Sequence, residues 1–348
     1  MNRLIVQERN GQVTVQWCPA DRGPEPECAS EPFTAPLPPE QREDLRWYLE
    51  DYLRAPYGAW DDRGKAIRAQ LSQWGEALFN TLFGPGKPGR DAYRDAYRQR
   101  HDCEIVFRSN CPAFLGLPWE LMKDPEIPTP LALDFAGFSR SQTVKTDPFL
   151  VPAAQTLRVL LVISRPHGDR DVSHQIIARP LMKRLKKVSG QVQLEVLRPP
   201  SFDHLRDRLM AAKQAGQPFH VVHFDGHGNF GVKAPHAPTS THFDGGGPQG
   251  YLFFEADHQD DQAVAAADFA ALLSQAQVPV VILNACRSAT LADEAGPEAA
   301  VATRLLQGGV AAVVAMSHSV YAVAAAEFMA TLYQTLFAGR PLAIALGD

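Results

Sequence analysis

Two residues of this 348-residue chain have the chemistry of a nucleophile and its base. Cys286 is the last residue of the apolar run "VPVVILNAC", and His227 lies three residues past "FHVVHF", between Gly226 and Gly228. A cysteine is only a few per cent thiolate at neutral pH, and an imidazole within reach can take its proton or stabilise the anion. The flanking glycines remove side chains around the imidazole, which would let a substrate backbone approach and a backbone N–H face a developing oxyanion. Alternation along a strand puts Asn284 on the face of Cys286, and Asp225 on the face of His227 if strand geometry persists past Phe224. Asn284 and Asp225 are therefore expected to line a substrate pocket.

Each signal alone has a plainer reading. A single cysteine ending an apolar strand is most often a small buried hydrophobe, and Gly-His-Gly is usually a turn. Found together on two strand ends of one sheet, they weigh towards a dyad. His220 and His223, inside the strand, read as structural. His236, His242 and His258 lack the spacing of a metal site, so no metal is expected. The glycines of "THFDGGGPQG" are not followed by Gly-Lys-Ser/Thr and read as a loop.

The surrounding elements must bring the two residues to one edge. From Leu157 the chain alternates apolar strands ("LRVLLVIS", "VQLEVL", "FHVVHF", "GYLFFEA", "VPVVILNAC", "VAAVVAMS") with amphipathic helices. This rhythm predicts an α/β fold with a mostly parallel sheet flanked by helices on both faces. In such a sheet ligands bind beyond the carboxyl ends of the strands, where His227 and Cys286 lie. The expected catalytic domain is 151–348. Ahead of it, residues 1–18 read as a hairpin about Asn10-Gly11, and residues 19–40, with seven prolines, as an arm or linker. Residues 41–150 read as a mainly helical region carrying the short strand "CEIVFR".

Bulk composition narrows the class. A net charge of −5 advertises no broad surface for nucleic acid or an anionic membrane. No apolar run is long enough to span a bilayer, and the polar N-terminus is no signal peptide. Five cysteines, odd in number and without CxxC spacing, fit a reducing, cytoplasmic setting. With no G-x-G-x-x-G after the first strand and no Walker motif, a nucleotide-binding domain is disfavoured and no cofactor is expected.

"VVHFDGHG" followed by "VILNACRSA" resembles the caspase-like cysteine proteases, and more closely the CHAT domains of bacteria. The likeness extends to "LPWELMKDP" and to "LLQGGVAAVVAMSHSV" with "GRPLAIAL" behind it, and covers roughly residues 75 to 346. It implies His227 as general base, Cys286 as nucleophile, and the backbone N–H groups of Gly228 and Cys286 as the oxyanion hole. The residue two before the cysteine, here Asn284, would line the pocket for the side chain preceding the scissile bond. Asp225 could recruit a basic side chain there, whereas Arg165 occupies the region where caspases place an arginine that selects aspartate. These clues point in opposite directions and leave the preference open. The resemblance further implies that residues 41–150 are the N-terminal half of the CHAT region, a degenerate protease-like or docking part. It also implies a protein substrate and control by a sensor module, such as TPR repeats or an NTPase, in the same chain or as a partner. A role in bacterial defence or stress signalling goes with it. The chain's end at "AIALGD" reads as a domain excised from a longer polypeptide or a short form. The alternative is a catalytically inactive CHAT-type scaffold or signalling module.

Overall fold

The computed structural model describes residues 1–54, 56–143, 156–166, 192–231, 249–256, 261–287, 297–315, 322–340 and 342. The chain divides into two compact units, Met1–Thr143 with Thr331–Asp348, and Val144–Ala330.

The first unit is built on a five-stranded sheet. β1 (Asn2–Arg9) and β2 (Gln12–Cys18) form an antiparallel hairpin whose turn has both Asn10 and Gly11 at positive φ. That is the geometry whose twist matches two paired strands, and asparagine and glycine adopt it at least cost. Val13, Val15 and Trp17 alternate inward and are buried. The proline-rich arm follows the free edge of β2. Glu25, Cys28 and Phe33 donate their N–H groups to Trp17, Val15 and Gly11 carbonyls, and the two-residue β3 (Glu31–Pro32) pairs with β2. Prolines suit this place because they offer no further donors to an outside strand.

On the other side of β1 lie β4 (Cys103–Arg108), parallel to it, and β5 (Gly137–Ser141), parallel to β4. Helices α1 (Pro39–Glu50), α2 (Asp61–Phe83) and α3 (Arg90–Arg98) contribute to the same core, through Leu45, Trp74, Leu78, Phe79 and Tyr93. A single helical turn, α4 (Pro112–Leu115), precedes the "LPWELMKDP" stretch. Trp119 there is fully buried, stacks on Phe107 with ring centroids 4.4 Å apart, and donates its indole N–H to the Phe114 carbonyl. This unit therefore differs from the mainly helical expectation: its helices accompany a mixed sheet to which the hairpin belongs. β5 escaped the reading because "GFSRS" carries almost no apolar alternation.

The second unit holds a seven-stranded sheet. Its parallel strands run β7 (Val192–Val196), β6 (Leu157–Ile163), β8 (Val221–Gly231), β11 (Val280–Arg287), β12 (Ala312–Ala315). β9 (Gln249–Glu255) then pairs antiparallel with the far half of β8, and β10 (Asp261–Ala265) antiparallel with β9. The sheet is thus mixed, which corrects the mostly parallel expectation. "GYLFFEA" reads as a strand in either direction, because apolar content does not encode polarity. α5 (Phe202–Gln214), α6 (Ala266–Ala276) and α7 (Pro297–Gln307) share one apolar cluster with Leu160, Val162, Val222, Phe224, Leu252, Phe254, Val281 and Leu283. These residues have one strand parity, so the three helices cover one face. Leu161, His223 and Ile282, of the other parity, are equally buried. α8 (Ala322–Phe337) follows β12.

Candidate active site

β6 is the first strand of the parallel set, and the chain goes from it to β7 on one side and later to β8 on the other. Such a reversal opens a crevice at the carboxyl ends of the two strands flanking it. The switch is visible along β8 itself. Its partner on that side is β6 up to Asp225, opposite Ile163, and β9 from His227 onward, opposite Phe253.

On its other side β8 pairs with β11 over their shared length, with Asn284 opposite Asp225, Cys286 opposite His227 and Arg287 opposite Gly228. Neighbouring strands run about 4.8 Å apart, so positions 227 and 286 face one another across one strand spacing. β8 keeps strand geometry as far as Gly231, so Asp225 and His227 belong to one face of the pleat, the one turned away from α5, α6 and α7. His227 is half-buried, whereas Asp225 and Asn284 are only 2% and 3% exposed.

Next to positions 227 and 286 the structure joins the three other candidate residues in one network. Arg165, two residues past β6, sets one guanidinium nitrogen 2.6 Å from the Asp225 carboxylate. The other guanidinium nitrogen donates to the main-chain carbonyls of Asp225 and Ser164, both at 2.8 Å. The second carboxylate oxygen of Asp225 accepts from Asn284 Nδ2 at 2.9 Å. Ser164 donates its N–H to the Asp225 carbonyl, and Arg165 donates its own to Glu255 Oε1 at the end of β9. The strand ends of β6, β8, β9 and β11 are thereby tied together. Burial pushes the Asp225 carboxyl above its ordinary range, opposed by the Arg165 guanidinium, the Asn284 amide and His227. Two buried polar atoms, Ser164 Oγ and Asn284 Oδ1, have no hydrogen-bond partner among the described residues.

The two glycines have a structural role on the opposite face. A Cβ on Gly226 would come within 2.8 Å of the Phe224 ring and 3.3 Å of Ser164 Cβ, and one on Gly228 within 3.3 Å of Ala285 Cβ. Their missing side chains make room for the core under the helices, rather than for a substrate beside His227. His220 accepts the Arg158 N–H on Nδ1, and His223 is fully buried, its pKa lowered to about 3 by desolvation. Neither belongs to the strand-end cluster. Ser164 and Glu255 were missed by the sequence reading. Ser164 does sit where the strand-end rule points, directly after "LRVLLVI", whereas nothing local marks Glu255. Most of the "THFDGGGPQG" loop, with His236, His242 and His258, lies outside the described residues.

Among the described residues no group of His, Cys, Asp and Glu is arranged to hold a metal ion, and no helix is long and apolar enough to cross a membrane. The strand order and the reversal at β6 describe a mixed α/β protein. The family model of the CHAT domain matches residues 73–348, and the chain belongs to that family, which is related to the caspase-like proteases. No curated protein matches the chain.

Proposed function

We propose that this protein is a cysteine endopeptidase acting on protein substrates through a His227/Cys286 dyad. The observation that carries this reading is the β8–β11 register, which sets the two positions directly opposite one another at the mouth of the crevice. His227 takes the thiol proton of Cys286, and the thiolate forms a bond to the scissile carbonyl carbon. The backbone N–H groups of Gly228 and Cys286 stabilise the oxyanion. Collapse breaks the C–N bond, with His227 returning the proton to the leaving amine. Water, deprotonated by His227, then hydrolyses the thioester and frees the thiol. Asp225, Asn284 and Arg165 support the pocket for the side chain preceding the scissile bond.

A thiol protease of this kind requires control. We assign that control to a sensor module, in the same chain or as a partner, within a cytoplasmic defence or stress response, on the strength of family membership. The test is incubation with a diverse peptide library, reading cut sites by mass spectrometry, with Cys286→Ala and His227→Ala proteins as controls. Cuts made by wild type and absent from both variants support the reading. Equal cleavage by the Cys286→Ala protein ends it. Absence of cleavage, with Cys286 reacting no faster than free cysteine, points to the inactive scaffold.

A further inference from the structure

Arg165 and Asp225 each have the right chemistry to select a charged substrate side chain, and they would select opposite charges. The structure pairs them with each other. The guanidinium lies 2.6 Å from the Asp225 carboxylate and also binds two main-chain carbonyls. The remaining carboxylate oxygen is held by Asn284. Both side chains are largely removed from solvent, at 13% and 3% exposure. An ion pair so enclosed presents little net charge to a third group. Opening it to receive a charged substrate would leave one buried charge without its partner, which is strongly unfavourable. Asn284, at the position facing Asp225, adds no charge, its Oδ1, without a partner among the described residues, is neutral, and the Glu255 carboxylate at the end of β9 is engaged by the Arg165 N–H.

We infer that the closed Arg165–Asp225 pair offers neither of its charges to a substrate, so that the substrate residue preceding the scissile bond is uncharged. This rests on the peptidase reading above and specifies its substrate class. The pair is a positioning device: it fastens the ends of β6 and β8 and, through Asn284, holds β11 in the register that aligns Cys286 with His227.

The test uses the full chain and a set of peptides identical except for the residue before the cut, with matching peptidyl electrophiles that report on Cys286 by mass. Expected is a kcat/KM, and a labelling rate, about tenfold or more higher for uncharged residues than for Asp, Glu, Lys or Arg. Asp225→Asn, checked for a retained melting transition, is expected to free the Arg165 charge. The profile should then shift towards Asp and Glu while kcat on the uncharged peptides falls. A merely structural role for Asp225 would lower activity without moving the profile. Wild-type preference for an acidic or a basic residue overturns the inference and leaves the peptidase reading standing. Absence of both cleavage and labelling by every probe overturns the two together. Should Asp225→Asn fail to fold, the wild-type profile still decides.

Discussion

Ser109 in the first unit and Ser164 in the second occupy the same kind of place. Each follows a buried strand of a parallel pair, and each donates its N–H to a main-chain carbonyl of the neighbouring strand, Ser141 and Asp225 respectively. Both are buried. Their hydroxyls differ. Ser109 Oγ is closed into a local circuit, donating to the Glu8 carboxylate and accepting the Cys111 N–H at 2.8 Å, while the other Glu8 oxygen accepts the Gly11 N–H. Ser164 Oγ has no such partner among the described residues, nor has Asn284 Oδ1 on the other face of the sheet. Native cores satisfy nearly all their buried polar atoms, and exceptions gather where a site serves something other than stability. One strand end is finished as structure; the other, next in sequence to the Arg165–Asp225 ion pair, is left incomplete.

The largest effect that tests this contrast is on turnover. Cys286→Ala or His227→Ala should lower peptide cleavage by about 10⁴-fold or more while leaving the melting temperature nearly unchanged. Cys18→Ser, in the first unit, should leave cleavage at the wild-type level. A loss with Cys18→Ser as large as that with Cys286→Ala would move the chemistry to the wrong sheet.

Acid stability is next. His223 is fully buried on β8 with its pKa lowered to about 3, against 6.5 in an unfolded chain. Its neutral form is favoured by folding, so its contribution is complete above about pH 6.5 and declines as pH falls towards 3, by about 1.4 kcal/mol per pH unit. Asp225, with its pKa raised, contributes in the opposite sense, its stabilisation being lost as pH rises. Comparing denaturant unfolding of wild type and His223→Leu between pH 7 and 4 isolates the histidine. The variant's curve should be flatter, and parallel curves would refute the assignment.

The same contrast explains what the sequence could show. His227 and Cys286 were legible because each follows an apolar run long enough to be a buried strand, and pleat parity alone then aligns Asn284 with Cys286. The CHAT resemblance rested on those same segments. The Arg165–Asp225 pair was not legible: one member lies past the end of β6 and the other on β8, and nothing local states that the two charges meet rather than await a substrate. The antiparallel β9 and the edge strand β10 were hidden for a related reason. Strand direction and the five residues "DQAVA" depend on what lies alongside, which hydropathy along one segment does not record. The glycines misled as well. Gly226 looked like an opening for a substrate and is a close approach to Phe224 in the core.

Alanine at two glycines should separate rigid from yielding contacts. At Gly75 on α2 the new Cβ would meet the Leu121 backbone carbonyl at 2.1 Å, a group fixed by the turn that carries Trp119. At Gly226 it would meet the edge of the Phe224 ring at 2.8 Å, which can tilt. Gly75→Ala is expected to cost about 3 kcal/mol and Gly226→Ala about 1–2 kcal/mol in denaturant unfolding. The reverse order would mean that the core under the second unit's helices is stiffer than the first unit's core.

The smallest effect is the most direct test of the two serines. Ser109→Ala removes a donor from the buried Glu8 carboxylate and an acceptor from the Cys111 N–H. Groups left unsatisfied in the interior cost about 1–3 kcal/mol, so that variant should unfold at correspondingly lower denaturant. Ser164→Ala removes a hydroxyl that bonds to nothing among the described residues, and its Cβ remains to pack against Gly226. Its stability should lie within about 0.5 kcal/mol of wild type, or slightly above it, because burying an unpaired hydroxyl is itself unfavourable. If Ser164→Ala proved as destabilising as Ser109→Ala, the Ser164 hydroxyl would have a partner after all, and the end of β6 would be as closed as the end of β4.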